Sequence, residues 1–271
     1  MIRHWLILFF AISGAFAGAF VGASEADQRP LLSLVIDDLG YSLENGKAAI
    51  ALDGDHTYAI LPGASYSQKL AQYAHQLNKE VILHLPMQSI SSSAAREPSA
   101  LNEAMDEDEL SGNVHSLLAQ IPFIRGVNNH MGSHLTEFDF FMRPVMDSIR
   151  SYDSSFYFLD SRTSPRSVAY SQARDAGLST ISRDIFLDND PSTSAIQLQY
   201  NIWLTRAREQ GSAIAIGHPY SHTLEVLQNN LPAASDSFTF MRISDLIEAR
   251  KQRESSPEWG KQLTTLEAAT D

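Results

Sequence analysis

Leu31-Leu32-Ser33-Leu34-Val35-Ile36-Asp37-Asp38-Leu39-Gly40 is the stretch on which the reading of the fold turns. Its first six residues are apolar but for Ser33. A strand with one wet face alternates apolar and polar residues, so an unbroken apolar run reads as a strand buried on both faces. The run then stops on two carboxylates and a glycine. Similar runs recur at Thr57-Tyr58-Ala59-Ile60-Leu61 and Val81-Ile82-Leu83-His84-Leu85, then near 123–127, 156–159, 178–181, 213–216 and 238–240. Helical spacing fills the gaps over 43–52, 66–77, 106–120, 137–151, 165–176, 193–210, 221–230 and 244–251. Residues 88–106, serine-rich and aperiodic, read as a long loop. Seven or eight βα units with buried strands predict the α/β class, with a parallel sheet under a layer of helices. The count suits a (β/α) barrel better than an open doubly wound sheet. In either arrangement ligands gather at the C-terminal ends of the strands.

The flanks are of a different character. Met1 to His4 make a short positive start, Trp5 to Phe10 are strongly apolar, and a Gly/Ala-rich stretch leads to Val21-Gly22-Ala23 before polar Ser24. This predicts a signal peptide over residues 1–23 and an exported, periplasmic protein. An uncleaved anchor is the alternative. A single domain over residues 29–251 and a polar tail over 252–271 complete the division, with no further membrane span after signal removal. The chain has no cysteine, so no disulfide staples the fold and any metal site must use His, Asp or Glu. Lys+Arg is 20 against 32 Asp+Glu, a net charge of −12. Such a surface repels polyanions, which argues against nucleic acid as a partner. Protein partners and oligomeric state are not legible.

Chemistry-bearing residues collect where the apolar runs stop. Asp37 and Asp38 end the first, and His130-Met131-Gly132-Ser133-His134 follows the fourth. Asp160 and Arg162 follow the fifth, Asp184 and Asp188 the sixth, and His218 the seventh. Two His four residues apart can present their rings to one cation. With Asp38 they make a one-oxygen, two-nitrogen set that leaves positions open, the layout of a catalytic metal site. Zinc is the default for these donors. Asn128-Asn129 and Gly132 suggest a loop around His130, with Thr136 as cap of the next helix. His84 lies inside a strand run and reads equally as a neighbour of the metal or as a hydrogen-bonded core residue. Trp203 is expected on a core helix face. Tyr220, beside His218, is the best candidate for a sugar-ring contact.

Taken together, several short motifs carry a resemblance. Val35-Ile36-Asp37-Asp38-Leu39-Gly40, His84-Leu85-Pro86-Met87, Asn129-His130-Met131-Gly132-Ser133-His134, Phe158-Leu159-Asp160-Ser161-Arg162 and Gly217-His218-Pro219-Tyr220 together resemble the divergent polysaccharide deacetylase family, within the NodB-like superfamily. The resemblance runs over about residues 30–250. It implies an irregular, NodB-like (β/α) barrel and metal-dependent deacetylation of an acetylated glycan. Asp38, His130 and His134 would bind the metal, Asp37 would be the base and His218 the acid. Arg162 would pair with Asp37 and lower its pKa. His84, Asp160, Asp184, Asp188 and Tyr220 would line the site or support it. The chain departs from the pattern at Arg162-Thr163-Ser164-Pro165, and lacks the Asp-rich motif with a following Trp. Arg183-Asp184-Ile185-Phe186-Leu187-Asp188 stands there instead, with acids placed to orient Arg162. Those departures keep open a second expectation, a metal-containing envelope scaffold that has lost turnover.

Overall fold

The computed structural model describes residues 29–91 and 99–255; the expected leader and most of the tail lie outside them. Among these residues nine strands and eight α-helices alternate, except that β7 follows β6 directly. They are β1 (Leu31–Leu39), α1 (Leu43–Ile50), β2 (Thr57–Ile60), α2 (Ser67–Gln76), β3 (Glu80–Met87), α3 (Glu107–Leu118), β4 (Ile124–Met131), α4 (Asp139–Tyr152), β5 (Tyr157–Asp160), α5 (Ala169–Asp175), β6 (Ser179–Ser182), β7 (Ile185–Phe186), α6 (Thr193–Gln210), β8 (Ser212–Gly217), α7 (Ser221–Ala234), β9 (Thr239–Phe240) and α8 (Ile243–Glu254). The strands follow the path β6-β5-β4-β3-β2-β1-β8-β7, with β9 joined to the start of β1. Every pairing between strands is parallel.

The path fixes the curvature. β6 ends at Ser182 and β7 begins at Ile185, so the two ends of the path are joined by three Cα steps, about 11 Å at most. Laid flat, seven strand spacings would separate them by about 33 Å. The sheet therefore curls into an irregular (β/α) barrel. Two apolar layers follow from the pleat. Leu32, Leu34 and Ile36 of β1 join Leu83, Leu85, Phe158 and the helices in an outer layer. Leu31 and Val35 of β1, Ala59, Ile82, Leu159, Ile214 and Ile216 fill the interior.

The N-terminal end of the barrel is stopped by α8, whose Ile243, Leu246 and Ile247 belong to the interior cluster. Buried Glu80 anchors it, accepting from Thr57 Oγ1 and Tyr157 Oη at 2.8 Å each and from Ser244 N at 3.3 Å. Tyr157 lies so close to β4 that a β-carbon at Gly126 would meet its ring at 2.8 Å, which excludes any larger residue there. With that end packed, the open end is the one where the strands finish.

The structure differs from the sequence reading in places. β4 continues through His130 to Met131, so Asn128 and Asn129 are strand, held by pairing to β3. Thr136 does not cap α4: it is buried in a 3-10 turn and donates to Gly132 O at 2.7 Å. β7 is an additional strand of two residues, below the length at which periodicity registers. α7 runs on to Ala234, with Pro232 inside it. No helix among the described residues is long and apolar enough to cross a membrane.

Candidate active site

The pleat that buries Val35, Ile82, Leu159 and Ile216 in the interior puts the residues two further along on the same side. Those are Asp37, His84, Ser161 and His218, and Asn128 faces His84 across the β3–β4 ladder. They form a polar layer directly above the apolar one. Asp38 joins them by breaking the alternation: its φ is +58°, and the β1–β2 register shifts between Ile36 and Leu39. Met131 (φ +54°) and Arg162 (φ +47°) turn the same way at the ends of β4 and β5. Left-handed backbone at side chains other than glycine is strained, and here it falls at the C-terminal ends of β1, β4 and β5.

At the centre is a triangle of donor atoms. Asp38 Oδ1 lies 3.1 Å from His84 Nε2 and 3.0 Å from His130 Nδ1, and the two nitrogens are 3.1 Å apart. The protons on His84 can be placed. Asn128 Nδ2 donates to Asp37 Oδ1 at 2.9 Å and to Ser161 Oγ at 3.3 Å, so Asn128 Oδ1 is the acceptor facing His84 Nδ1 at 2.7 Å. When neutral, His84 therefore carries its proton on Nδ1 and turns the Nε2 lone pair toward a carboxylate oxygen. A lone pair and an anion held face to face need a proton or a cation between them. Ligands about 2.1 Å from a common ion stand about 3.0–3.4 Å apart, so the triangle fits a divalent metal. Among the described residues this is the one group of three or more His, Asp or Glu side chains arranged to hold an ion.

Electrostatics agree with that geometry. Burial alone would raise the Asp38 carboxyl, but hydrogen bonds from His130 and His84, with their charges, hold it well below the usual carboxylate range. His84 is fully buried, which disfavours its charged form, yet Asp37 and Asp38 outweigh burial and raise its pKa. Asp37 goes up chiefly because it is buried, against the pull of His84 and His218. On the far side of Asp38, His218 Nε2 lies 3.9 Å from Oδ2. The other nitrogen, Nδ1, donates to Asp188 Oδ1 at 2.8 Å, while Asp188 Oδ2 accepts from His218 N and Thr223 Oγ1. Burial opposes the charged imidazole, but Asp188, Asp38 and Asp37 push it up to about 9.

The family model for divergent polysaccharide deacetylases matches residues 34–247, which takes in every element of this site. The chain belongs to the divergent polysaccharide deacetylases. It is 34% identical over 226 residues to the uncharacterized protein YibQ of Escherichia coli (strain K12), covering 83% of this chain and 70% of YibQ. A second relative, from Haemophilus influenzae, is 35% identical over 204 residues, covering 74% of this chain and 72% of its own. Among solved structures, the uncharacterized protein ATU2773 from Agrobacterium tumefaciens C58 superposes with a TM-score of 0.75 at 20% identity, over 80% of this chain and 89% of that one; the two share a fold.

Within this family member, several residues stand away from the places expected for them. His134 is not in the triangle. It sits past the end of β4, where the turn at Met131 and Gly132 (φ +85°) has carried the chain outward, and its Nε2 meets Glu103 Oε2 at 2.8 Å. His84 stands in its place. Arg162 does not hold Asp37: its side chain is exposed, and its backbone N–H bonds Asp160 Oδ1 at 2.7 Å. The cation on that side is half-buried Arg183, which donates to the carbonyls of Ser161 and Arg162 and lies over the Phe186 ring at 3.7 Å. Burial lowers its pKa to about 10, while Asp160 and Asp37 favour its charge. Asp160 also accepts from Ser167 and Tyr170 N, shaping the loop after β5.

Asp184 is remote from the pocket and does not orient Arg162. It accepts from Ile214 N at 2.8 Å, four residues before His218 on β8. Asp188 supports His218 as described. Tyr220 is half exposed and stacks on the His218 ring at 5.3 Å. Trp203 is fully buried in the outer layer. Asn128, which fixes His84, and Arg183 were not singled out from the sequence; the pairing of His84 with Asn128 across two strands is the signal that would have revealed the first.

Proposed function

We propose that this chain is an exported, metal-dependent hydrolase that removes acetyl groups from carbohydrate, with Asp38, His84 and His130 holding the cation. The observation that carries this reading is the triangle itself: His84, its ring fixed through Nδ1 by Asn128, brings Nε2 to 3.1 Å from both Asp38 Oδ1 and His130 Nδ1. A hydrogen bond that sets the tautomer of a ligating imidazole is the usual support of a metal site. Family membership supports glycan deacetylation, and the leader in the sequence supports export to the periplasm. Zinc is the ion these donors suit best.

A bound divalent cation lowers the pKa of water and polarises a carbonyl oxygen. The remaining work falls to the chain's own groups. Asp37 is buried, with Oδ1 held by Asn128 and Oδ2 3.6 Å from His84 Nε2. Its raised pKa makes it a better proton acceptor than an ordinary aspartate, the property asked of a general base. His218 keeps Nδ1 on Asp188 and presents Nε2 to the pocket, placed to deliver a proton to the departing amine or alcohol. Tyr220 offers a ring face beside it.

The test is acetate release from acetylated envelope glycans by zinc-loaded protein. His130→Ala should lose the metal and release no acetate; a metal-free His130→Ala protein as active as the wild type would end this reading. The position of Arg162, away from Asp37, favours a second one, a metal-holding scaffold without turnover. Stoichiometric metal with no acetate from any glycan in the panel is its signature.

A further inference from the structure

The opposite end of the barrel holds a cavity of about 490 Å³ between the end of α2, the starts of β3 and β4, and the start of α8. It lies roughly 13 Å from His84, four strand residues away at about 3.3 Å each. Ligand sites usually measure about 300–1,000 Å³. Three features set it apart from a packing defect.

The first is an aromatic platform held under strain. Phe123 and His75 both line the cavity and stack almost parallel, with ring centres 3.9 Å apart and planes at 3°. Phe123 adopts φ +67° and remains 47% exposed. Asn78, also lining the cavity at φ +55°, is accounted for by its place just after α2, where left-handed residues end helices. Phe123 follows Pro122 in the turn that leads into β4, a position where a turn calls for positive φ and glycine or asparagine is the usual choice. A bulky residue in left-handed backbone at the surface points to function more than to packing.

The second feature is charge. Lys79, Arg125 and Arg242 face Glu80 and Asp245 across the cavity, one positive charge in excess within a chain of net charge −12. Glu80 is already engaged by Thr57, Tyr157 and Ser244, and Lys79 by the carbonyls of Leu52 and Gly54. Arg242 Nε is 3.4 Å from Asp245, yet is buried without a hydrogen bond. The third is Arg125, an exposed guanidinium whose charge acts on Asp153 and Tyr157 but which makes no hydrogen bond or close ion pair among the described residues. Its planar fork matches a carboxylate.

We propose that this cavity is a second binding site, for a small ring-bearing carboxylate whose ring lies on the Phe123–His75 stack and whose anion meets Arg125 and Arg242. A dianion is less suited, because Asp245 and Glu80 leave room for one added negative charge. An acidic sugar and an aromatic acid share this chemistry, so glucuronate and benzoate are the two probes, with glucose and acetate as controls that each lack one half. The full chain, zinc-loaded, is titrated by NMR or calorimetry.

At least one ring acid should bind saturably and at least tenfold more tightly than either control. Arg125→Gln should weaken it by tenfold or more while leaving bound zinc unchanged. Phe123→Gly should lose the ligand while melting no lower than the wild type, since glycine relieves the left-handed φ. Saturable binding that survives both substitutions, or ring acids no better than acetate and glucose, would overturn the proposal. Because metal content is read separately, failure here is distinguishable from failure of the metal reading.

Discussion

His84 and His134 sit at the ends of neighbouring strands, and either is chemically fit to be a ligand; what separates them is backbone parity. His84 shares its face with Ile82, which points into the barrel. His134 comes after the chain has left β4 and is turned to Glu103. The reading from sequence favoured the His pair because spacing alone was visible, and spacing says nothing about which side of a bulge or turn a ring ends on. The same limit explains Arg162, displaced by its own positive φ, and Arg183, two residues before β7 in a segment with no periodicity. The contrast is testable. His84→Ala should lose zinc on dialysis, whereas His134→Ala should keep it, with affinity within a few fold of the wild type. Retention by the first and loss by the second, measured by metal analysis, would restore the pair expected from sequence.

Among the elements, α8 does a job that its sequence does not advertise. Its polar composition reads as a surface helix, yet Ile243, Leu246 and Ile247 fill the bottom of the barrel. Leu246 is wholly buried. Truncating a buried leucine costs about 2–5 kcal/mol through lost transfer energy and an unfilled cavity. Leu246→Ala should therefore lower urea-unfolding stability by an amount in that range; a loss below about 1 kcal/mol would mean that the barrel floor relaxes around the gap. The longer strands were legible because burial on both faces leaves an unbroken apolar run. That same property hid the pocket side: Val81 and Leu83 face out while Ile82 faces in, and all three are equally apolar. Only the polar residue interrupting the run, His84, marks which face leads to chemistry.

At the scale of the molecule, the polar layer couples proton binding to folding. His218 is raised from 6.5 to about 9, and His84 is raised as well. Below about pH 6.5 an unfolded chain also carries these protons, so their stabilising contribution is fully present. As pH rises the unfolded chain releases them first, and the contribution is lost by the time pH passes the folded value of about 9. Chelator-treated protein should accordingly melt at progressively lower temperature between pH 6.5 and 9. A saturating divalent cation should flatten that fall, because it takes the place of the protons between Asp38 and its imidazoles. Thermal melts across the window check this; a chelated protein whose melting temperature is level or rising would contradict the arrangement described.

The sheet's two ends, β6 and β7, come within a short turn of one another without joining. Elsewhere the wall is laced by main-chain bonds; along this slit it is tied by side chains, chief among them Arg183 reaching back to Ser161 and Arg162. Widening the vessel there would cost no ladder bond between β6 and β7. There the Arg183 guanidinium lies against Phe186, beside the ring of His218.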